Sequence, residues 1–317
     1  MFLAGDGSFR VASPSAKVRE ALAALSSREG VTEARLVRLL GQPLAEAMLT
    51  ALDARRLTQR TDGAFPRVRG RGCRAYFDAL LPDPARQRQL RDVTVLIVGC
   101  GALGGELARH CACSGVGRLL LVDRDVVERS NLNRQYLFTV EDVGRPKLEV
   151  AAAALRRAAP QTQVLTYTAN VMSARDLMAL RLPAIDAAVC CADTPPHEIG
   201  AIVSEYATAR GALFAMATVG IENGLVGPLM PPDAPVPYHD WLRARPSYGW
   251  SLQLAPTIPS FGPTNSLIAA LLARDLLHVF AGDSAVSLGA RVNVDFRAWK
   301  ATRIPLRAAR RRRKPPT

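Results

Sequence analysis

Apolar positions along the chain change their period near residue 93. Before it they recur at helical spacing, as Val18, Leu22 and Leu25, then Leu36, Leu39 and Leu40, then Leu44, Met48 and Leu52. The first run opens at Ser13-Pro14, with the serine as cap and the proline at the first helical position, and ends at Gly30. The second opens at Val31-Thr32 and closes at Gly41, and Pro43 opens the third. A short strand over 8–12 is expected ahead of them. A two-stranded wing over 58–66, centred on Asp62-Gly63, is expected behind them. Three short helices and a hairpin form a winged-helix pattern, which predicts a small domain over residues 1–66. Such a unit can bind DNA, serve as a packing module, or hold a peptide between a sheet edge and a helix. Its own sequence does not choose among them.

From Val93 onward, continuous apolar runs alternate with amphipathic segments. Strands are predicted over 93–99, 118–123, 163–168, 185–191 and 212–217, and helices over 102–114, 146–158, 174–180 and 197–209. This alternation predicts an α/β, Rossmann-like, mostly parallel sheet with helices on both faces. Residues 231–262 hold seven prolines and few periodic apolar positions, so a long functional loop is expected there. A helix over 264–280 and a strand over 290–297 complete a second domain, 67–317. Its first part, 67–92, is an arginine-rich connector with Arg67, Arg69, Arg71, Arg74, Arg86, Arg88 and Arg91, broken at Pro82 and Pro84.

Composition narrows the picture modestly. At 317 residues and 49% hydrophobic, the chain can bury a sizeable core. Its net charge is +13, and five of those charges sit in Arg310-Arg311-Arg312-Arg313-Lys314. Residues 307–317 are therefore expected to be a solvated, disordered tail, and the remaining excess favours anionic partners. Nucleic acid is disfavoured as a partner. Of the six cysteines, Cys73, Cys100, Cys111, Cys113, Cys190 and Cys191, the adjacent or near-adjacent pairs inside apolar segments read as reduced, buried thiols. No C-x-x-C pair occurs, so no zinc is expected. Residues Met1-Phe2-Leu3-Ala4-Gly5-Asp6 lack a basic stretch before an apolar core, and no apolar run is long enough to span a bilayer. A cytoplasmic protein without membrane contact is expected.

Candidate chemistry begins where the first strand of the second domain ends. Gly99, Gly101 and Gly104 give G-x-G-x-x-G between a strand and a helix, where a backbone and a helix N-terminus can approach a phosphate. Asp123 ends the next strand, where a carboxylate can accept from ribose hydroxyls, and Asp125 could share that site or be a solvated loop carboxylate. A dehydrogenase would show these features too. Asn131, Arg134 and Lys147 add something such an enzyme does not need: cations that suit oxygens whose charge changes as a phosphoryl bond breaks. Asn131 could instead close a turn. Lys147 stands at a helix start, against the dipole, which argues for an anion nearby. Asp193 follows the apolar run 187–192 at a strand's carboxyl end, where it could hold Mg²⁺ or cap the next helix. The four histidines are dispersed, with His278 expected in a packed helix and His239 at the surface.

Gly99–Gly105, Asp123, Ser130-Asn131-Leu132-Asn133-Arg134-Gln135, Val143-Gly144-Arg145-Pro146-Lys147 and Asp193 together resemble the ThiF/MoeB/HesA superfamily. These are adenylyltransferases related to ubiquitin-activating enzymes. The resemblance implies ATP with Mg²⁺, Asp123 on the ribose, Asn131, Arg134, Gln135 and Lys147 among the nucleotide contacts, and Asp193 positioning the metal. It also implies a homodimer in which an arginine of Arg71-Gly72-Cys73-Arg74, Arg74 in particular, reaches the partner's site. Within the superfamily the microcin-C-type (MccB) peptide-adenylating enzymes look most similar, through 131–138, 141–144 and Gly227-Pro228-Leu229-Met230-Pro231. They imply a winged-helix-like unit that clamps a ribosomally made precursor peptide. Two departures are plain. The family's zinc cysteines are missing, and no cysteine follows Cys191, so the thioester cysteine of ubiquitin-type activators has no counterpart. The expected function is ATP-dependent adenylation of a precursor-peptide carboxylate. Its rivals are adenylation of a ubiquitin-like sulfur carrier's C-terminal glycine, a winged-helix DNA-binding regulator with an inert nucleotide domain, and a nicotinamide dehydrogenase.

Overall fold

Ser15, two residues later than the expected cap, starts the first helix: its hydroxyl accepts from the Val18 N–H at 3.3 Å ahead of α1 (Ala16–Leu25). The computed structural model describes residues 15–25, 31–53, 76, 90–235, 237–243 and 259–306. By its internal contacts the chain divides into two units, Met1–Arg86 and Gln87–Thr317. In the first unit Thr32 caps α2 (Glu33–Leu40), as expected, and Gly41 ends it with φ +79° before α3 (Gln42–Asp53). Ala21, Leu36 and Ala45 form its buried centre. Leu44, expected on the buried face of α3, is exposed, and Ala45 takes its place. The expected strand 8–12, the wing 58–66, the domain boundary at 66/67, Cys73 and Arg74 lie outside the described residues, as does the basic tail.

The second unit is one eight-stranded sheet in the order β3-β2-β1-β4-β5-β6-β7-β8. The predicted strands are β1 (Thr94–Val98), β2 (Arg118–Asp123), β3 (Gln163–Thr168), β4 (Ala187–Cys190) and β5 (Leu213–Val219), and all five run parallel. The predicted helices are α4 (Ala102–Cys113), α5 (Lys147–Ala158), α6 (Ala174–Ala179) and α7 (Ile199–Ala209). Within the loop expected over 231–262, Tyr238–Arg243 forms a short helix, α8. Helix α9 (Gly262–Phe280) and β7 (Ala290–Asp295) follow.

Two strands were not foreseen. Strand β6 (Asn223–Met230) returns antiparallel beside β5, and β8 (Lys300–Pro305) lies antiparallel on β7. Two glycines and a proline hide β6 from any propensity argument. Packing explains the glycines: a Cβ on Gly224 would meet Ile268 at 2.5 Å, and one on Gly227 would meet the Ala290 carbonyl at 2.7 Å. Strand β8 has no buried position, so no apolar alternation marks it, and Lys300 and Arg303 place charge on an edge strand.

Leu96, Val98, Leu120, Val122, Ala188 and Cys190 pack on one face of the sheet with α6, α7 and Tyr238 of α8. Alternation turns Val95, Ile97, Leu119 and Leu121 to the other face, where α4, α5 and α9 lie against the sheet and one another. Both faces are covered, so the inner strands are apolar along their whole length. Among the described residues no helix is long and apolar enough to cross a membrane.

The turn from β1 into α4 is tightly packed. Gly99 has φ +92°, and a Cβ there would stand 2.6 Å from the Ala192 nitrogen at the end of β4. A Cβ on Gly104 would run into the Gly99 carbonyl. Gly101 differs: its Cβ would meet only the Gln135 amide, at 3.6 Å. The fold therefore demands Gly99 and Gly104 but not Gly101. Gly104→Ala is expected to cost about 1–3 kcal/mol, as overpacking against backbone does. Gly101→Ala is expected to leave the urea unfolding midpoint close to that of the parent chain. A Gly104→Ala chain as stable as the parent would show that the turn is looser than these contacts.

Candidate active site

A cavity of about 400 Å³ runs along the carboxyl ends of β3, β2, β1, β4 and β5. In open α/β sheets this is the edge at which ligands gather, because loops diverge there and helix N-termini point into the crevice. Gly99, Gly101, Ala102 and Leu103 form its floor. Gly101 is the N-cap of α4 and offers no side-chain acceptor, so the first amides of the helix lack a side-chain cap.

Asp123 ends β2 beside this floor and is tied to it. Its Oδ2 accepts from the Cys100 N–H at 2.6 Å, and its Oδ1 accepts from the N–H groups of Arg124 (2.6 Å) and Asp125 (2.8 Å). The carboxylate thus laces the end of β2 to the glycine turn, and Oδ2 keeps acceptor capacity toward the cavity.

Of the three cations that line the cavity, Arg124, Arg134 and Lys147, the last two are held differently. Lys147 begins α5 with its side chain only 7% exposed, and its Nζ donates to Asp125 Oδ2 at 2.9 Å. The anion that its position at a helix start called for is therefore supplied by the chain itself, and Asp125 is a paired rather than a freely solvated carboxylate. Arg134 uses Nη1 alone on the protein, donating to the Ser130 carbonyl at 2.7 Å and to Asn133 Oδ1 at 2.9 Å. Its Nη2 and Nε have no partner among the described residues, and the residue lines the cavity.

Asn131 is not brought to the cavity. It is buried, its Oδ1 accepts from the Glu128 N–H at 3.0 Å, and its carboxamide closes the turn that carries Arg134. Of the two roles open to it in sequence, the structure displays the turn. Gln135 does line the cavity; its Oε1 is buried without a hydrogen-bond partner among the described residues. Gly104 serves the turn and not the cavity wall.

Asp193 stands exposed just past β4, on the cavity wall, with the Thr194 hydroxyl donating to it at 3.2 Å. It caps no helix, since α7 begins at Ile199 with Glu198 before it. A carboxylate oxygen is the donor type that Mg²⁺ takes, although among the described residues no group of three or more His, Cys, Asp or Glu side chains could hold a metal ion.

The thiols nearby are quiet. Burial first, and then the charge of Asp123, pushes the Cys100 thiol up to about 12, and burial pushes Cys111 and Cys190 to about 12 as well. Cys191 lines the cavity, yet burial, followed by the neighbouring thiols, holds it well above the usual thiol range. Cys113 departs from the expectation of burial and is exposed. His278 is packed as expected, with Nδ1 2.8 Å from Asp283 Oδ2, and His239 is exposed beside Asp240.

Sequence reasoning missed Asn170 after β3, Thr218 at the end of β5, and Ser260 and Asn265 around the start of α9, all of which line the cavity. The strand-end rule applied to β3 and β5 would have found the first two. Ser260 reaches the cavity through the fold of a proline-rich segment that carries no periodic signal, whereas Asn265 lies in the first turn of the helix predicted over 264–280, where helix-start reasoning could have found it.

Known proteins match this chain over different shares of its length. A sulfur carrier protein adenylyltransferase of Thermus thermophilus is 30% identical over 222 residues, 66% of this chain and 78% of that protein. The sulfur carrier protein ThiS adenylyltransferase of Bacillus subtilis is 31% identical over 228 residues, 71% of this chain and 64% of that protein. Human ubiquitin-like modifier-activating enzyme 7 is 51% identical over 87 residues, but the match spans only 9% of its length. The match to bovine MOCS3 spans 26% of its length. Among solved structures, E. coli MccB with ATP superposes with a TM-score of 0.72 at 22% identity, covering 88% of this chain and 83% of that one. The microcin C7 biosynthetic enzyme MccB in complex with N-formylated MccA gives 0.74 at 22% identity, over 88% and 84%. At that identity the likeness is one of fold. The model of the ThiF family matches residues 76–315, and with a relative 30% identical along most of its own length, the chain belongs to the ThiF family.

Proposed function

We propose that this chain is an adenylyltransferase that activates a carboxylate of a ribosomally made precursor peptide at the expense of ATP. The observation that carries the reading is one cavity at the strand ends that gathers an open helix N-terminus, Arg134, Lys147 and Asp193. An acid oxygen attacks the α-phosphorus of ATP, the bond from that phosphorus to the bridging oxygen breaks, and pyrophosphate leaves with the electron pair. The product is an acyl-adenylate. Asp123 takes the ribose, and the bare Gly101 and the α4 amides take phosphate oxygens. Arg134 meets the phosphates with the two nitrogens that have no partner among the described residues, and Lys147 adds a fixed charge. Asp193 would hold Mg²⁺, which when bound neutralises phosphate oxygens. In a cytoplasmic homodimer, Arg74 of one copy adds a further cation to the other copy's site. The small N-terminal unit, 1–66, holds the peptide.

The high-lying Cys191 thiol supports direct attack by the acid over an enzyme thioester. MccB, which superposes along most of the chain, has been crystallised with MccA, and this supports a peptide substrate. A specific observation favours a second reading: the relatives about 30% identical are sulfur carrier adenylyltransferases. That reading puts a carrier's C-terminal glycine in the same place.

ATP–pyrophosphate exchange tests the reading. Exchange is expected with a short peptide encoded beside this chain, and stimulation only by a diglycine-tailed carrier would move the assignment to the second reading. Arg134→Ala and Asp193→Ala are each expected to lower exchange by about 10²–10³, as loss of one transition-state donor does. Equal exchange in the parent and both variants would remove the site assignment. Gly101→Ala, folded as argued above, is expected to weaken ATP binding, and Cys191→Ser is expected to keep most of the exchange. Mixing Arg74→Ala with Asp193→Ala protein is expected to restore activity that neither has alone, because one site of the mixed dimer is then intact.

A further inference from the structure

Asn133 lies between the site's arginine and the cavity's far wall. Its Oδ1 accepts from Arg134 Nη1 at 2.9 Å, while its Nδ2 donates to the Ser260 carbonyl at 3.1 Å. Ser260 is gripped from the other side as well, since Asn265 Nδ2 donates to the Ser260 hydroxyl at 3.0 Å and to the Phe261 carbonyl at 2.8 Å. Arg134, Ser260 and Asn265 all line the cavity. The two segments are pressed together besides being bonded. A Cβ on Gly262 would stand 2.8 Å from the Asn133 carbonyl and would run into the Tyr136 hydroxyl.

We propose that Asn133 is a positioning residue that sets the pose of the Arg134 guanidinium and ties it to Ser260, so that the grip on phosphate and the far wall of the cavity are set together. The chemistry is that of a single carboxamide used at both ends. An acceptor on Nη1 fixes the plane of the guanidinium, which leaves Nη2 and Nε as a fork for two phosphate oxygens. The donor end anchors that acceptor to the entry of α9, so the guanidinium inherits the rigidity of a 19-residue helix. The role in exchange rests on the adenylation reading; the role in ATP binding does not.

A double-mutant cycle in ATP affinity tests it. Asn133→Ala is expected to weaken ATP binding on the order of tenfold, the worth of one charge-assisted hydrogen bond. Adding it to Arg134→Ala is expected to change affinity less than about twofold, because both act through one guanidinium. Asn133→Asp keeps the acceptor for Arg134 and loses the donor to Ser260. It also sets a negative charge on the guanidinium, so it is expected to weaken ATP binding at low ionic strength, less so as salt is raised, and to show a raised KM for the acid in exchange. Independent losses for Asn133→Ala and Arg134→Ala would overturn the positioning role. Asn133→Asp that leaves ATP affinity unmoved at low salt would overturn the contact to Arg134, and Asn133→Asp indistinguishable from the parent in KM would overturn the tie to Ser260. A parent chain that shows the coupling in ATP binding but exchanges pyrophosphate with no acid would sink the adenylation reading and leave the positioning role standing.

Discussion

Everything at the cavity depends on how closely the turn from β1 into α4 is pressed on the end of β4. There is no room for a Cβ at Gly99 beside Ala192, or at Gly104 beside the Gly99 carbonyl. That closeness has two consequences. It brings the first amides of α4 level with the ends of the neighbouring strands, where a ligand lies across the sheet instead of beneath it. It also leaves Asp123 at hydrogen-bond distance from the Cys100 N–H, so one carboxylate locks β2 to the turn. A side chain at either glycine would push α4 away, and the carboxylate and the helix N-terminus would no longer address the same space.

Charge around this frame is arranged so that the most deeply buried cation at the cavity is paired. Lys147 is almost wholly buried, and a buried ammonium without a partner is costly, so Asp125 holds it. Arg134 is less buried and makes do with a carbonyl and an amide oxygen, both on one nitrogen. The difference sets what each can offer a ligand. An anion approaching Lys147 must share it with Asp125, whereas Arg134 meets an anion with nitrogens that lose no protein contact. A paired lysine therefore fixes where charge sits, and a half-spent arginine supplies more of the gain on binding.

The parts of this architecture that follow periodicity were legible in the sequence. Runs such as Val95–Val98, Leu119–Val122 and Ala187–Cys190 are apolar throughout because they are covered on both faces, and that makes them conspicuous. The antiparallel end of the sheet was not legible. Gly224 and Gly227 are bare because Ile268 and Ala290 come close to them, and those are distant in sequence, so β6 reads as a loop until its neighbours are known. Strand β8 carries no buried residue to mark it. At the site, Gly101, Asp123, Lys147 and Asp193 could be placed because each sits at a strand or helix terminus that the pattern locates. Asn131 could not be settled, because a motif gives residue types and not the direction of a side chain, and here the carboxamide turns back to the Glu128 N–H. The pairing of Lys147 with Asp125 was half legible: the helix start called for an anion, but only the fold says which one.

The residues that sequence reading passed over share a feature. Asn133, Ser260 and Asn265 carry no charge, and they sit on a turn, on an irregular segment and in the first turn of α9, so nothing in composition singles them out. Yet they account for how an arginine on an irregular segment can be held at all. Arg134 lies in a stretch between β2 and α5 that has only short helical turns of its own, and such a segment cannot fix a long side chain by packing. Arg134 bonds within the segment, to the Ser130 carbonyl and to Asn133, and Asn133 in turn is tied outside it, to the Ser260 carbonyl ahead of α9. Helix α9 in turn packs on α4, whose N-terminus lines the same cavity. The amides and the arginine are thus referred to the same pair of packed helices, and this keeps two groups from separate parts of the chain facing one cavity.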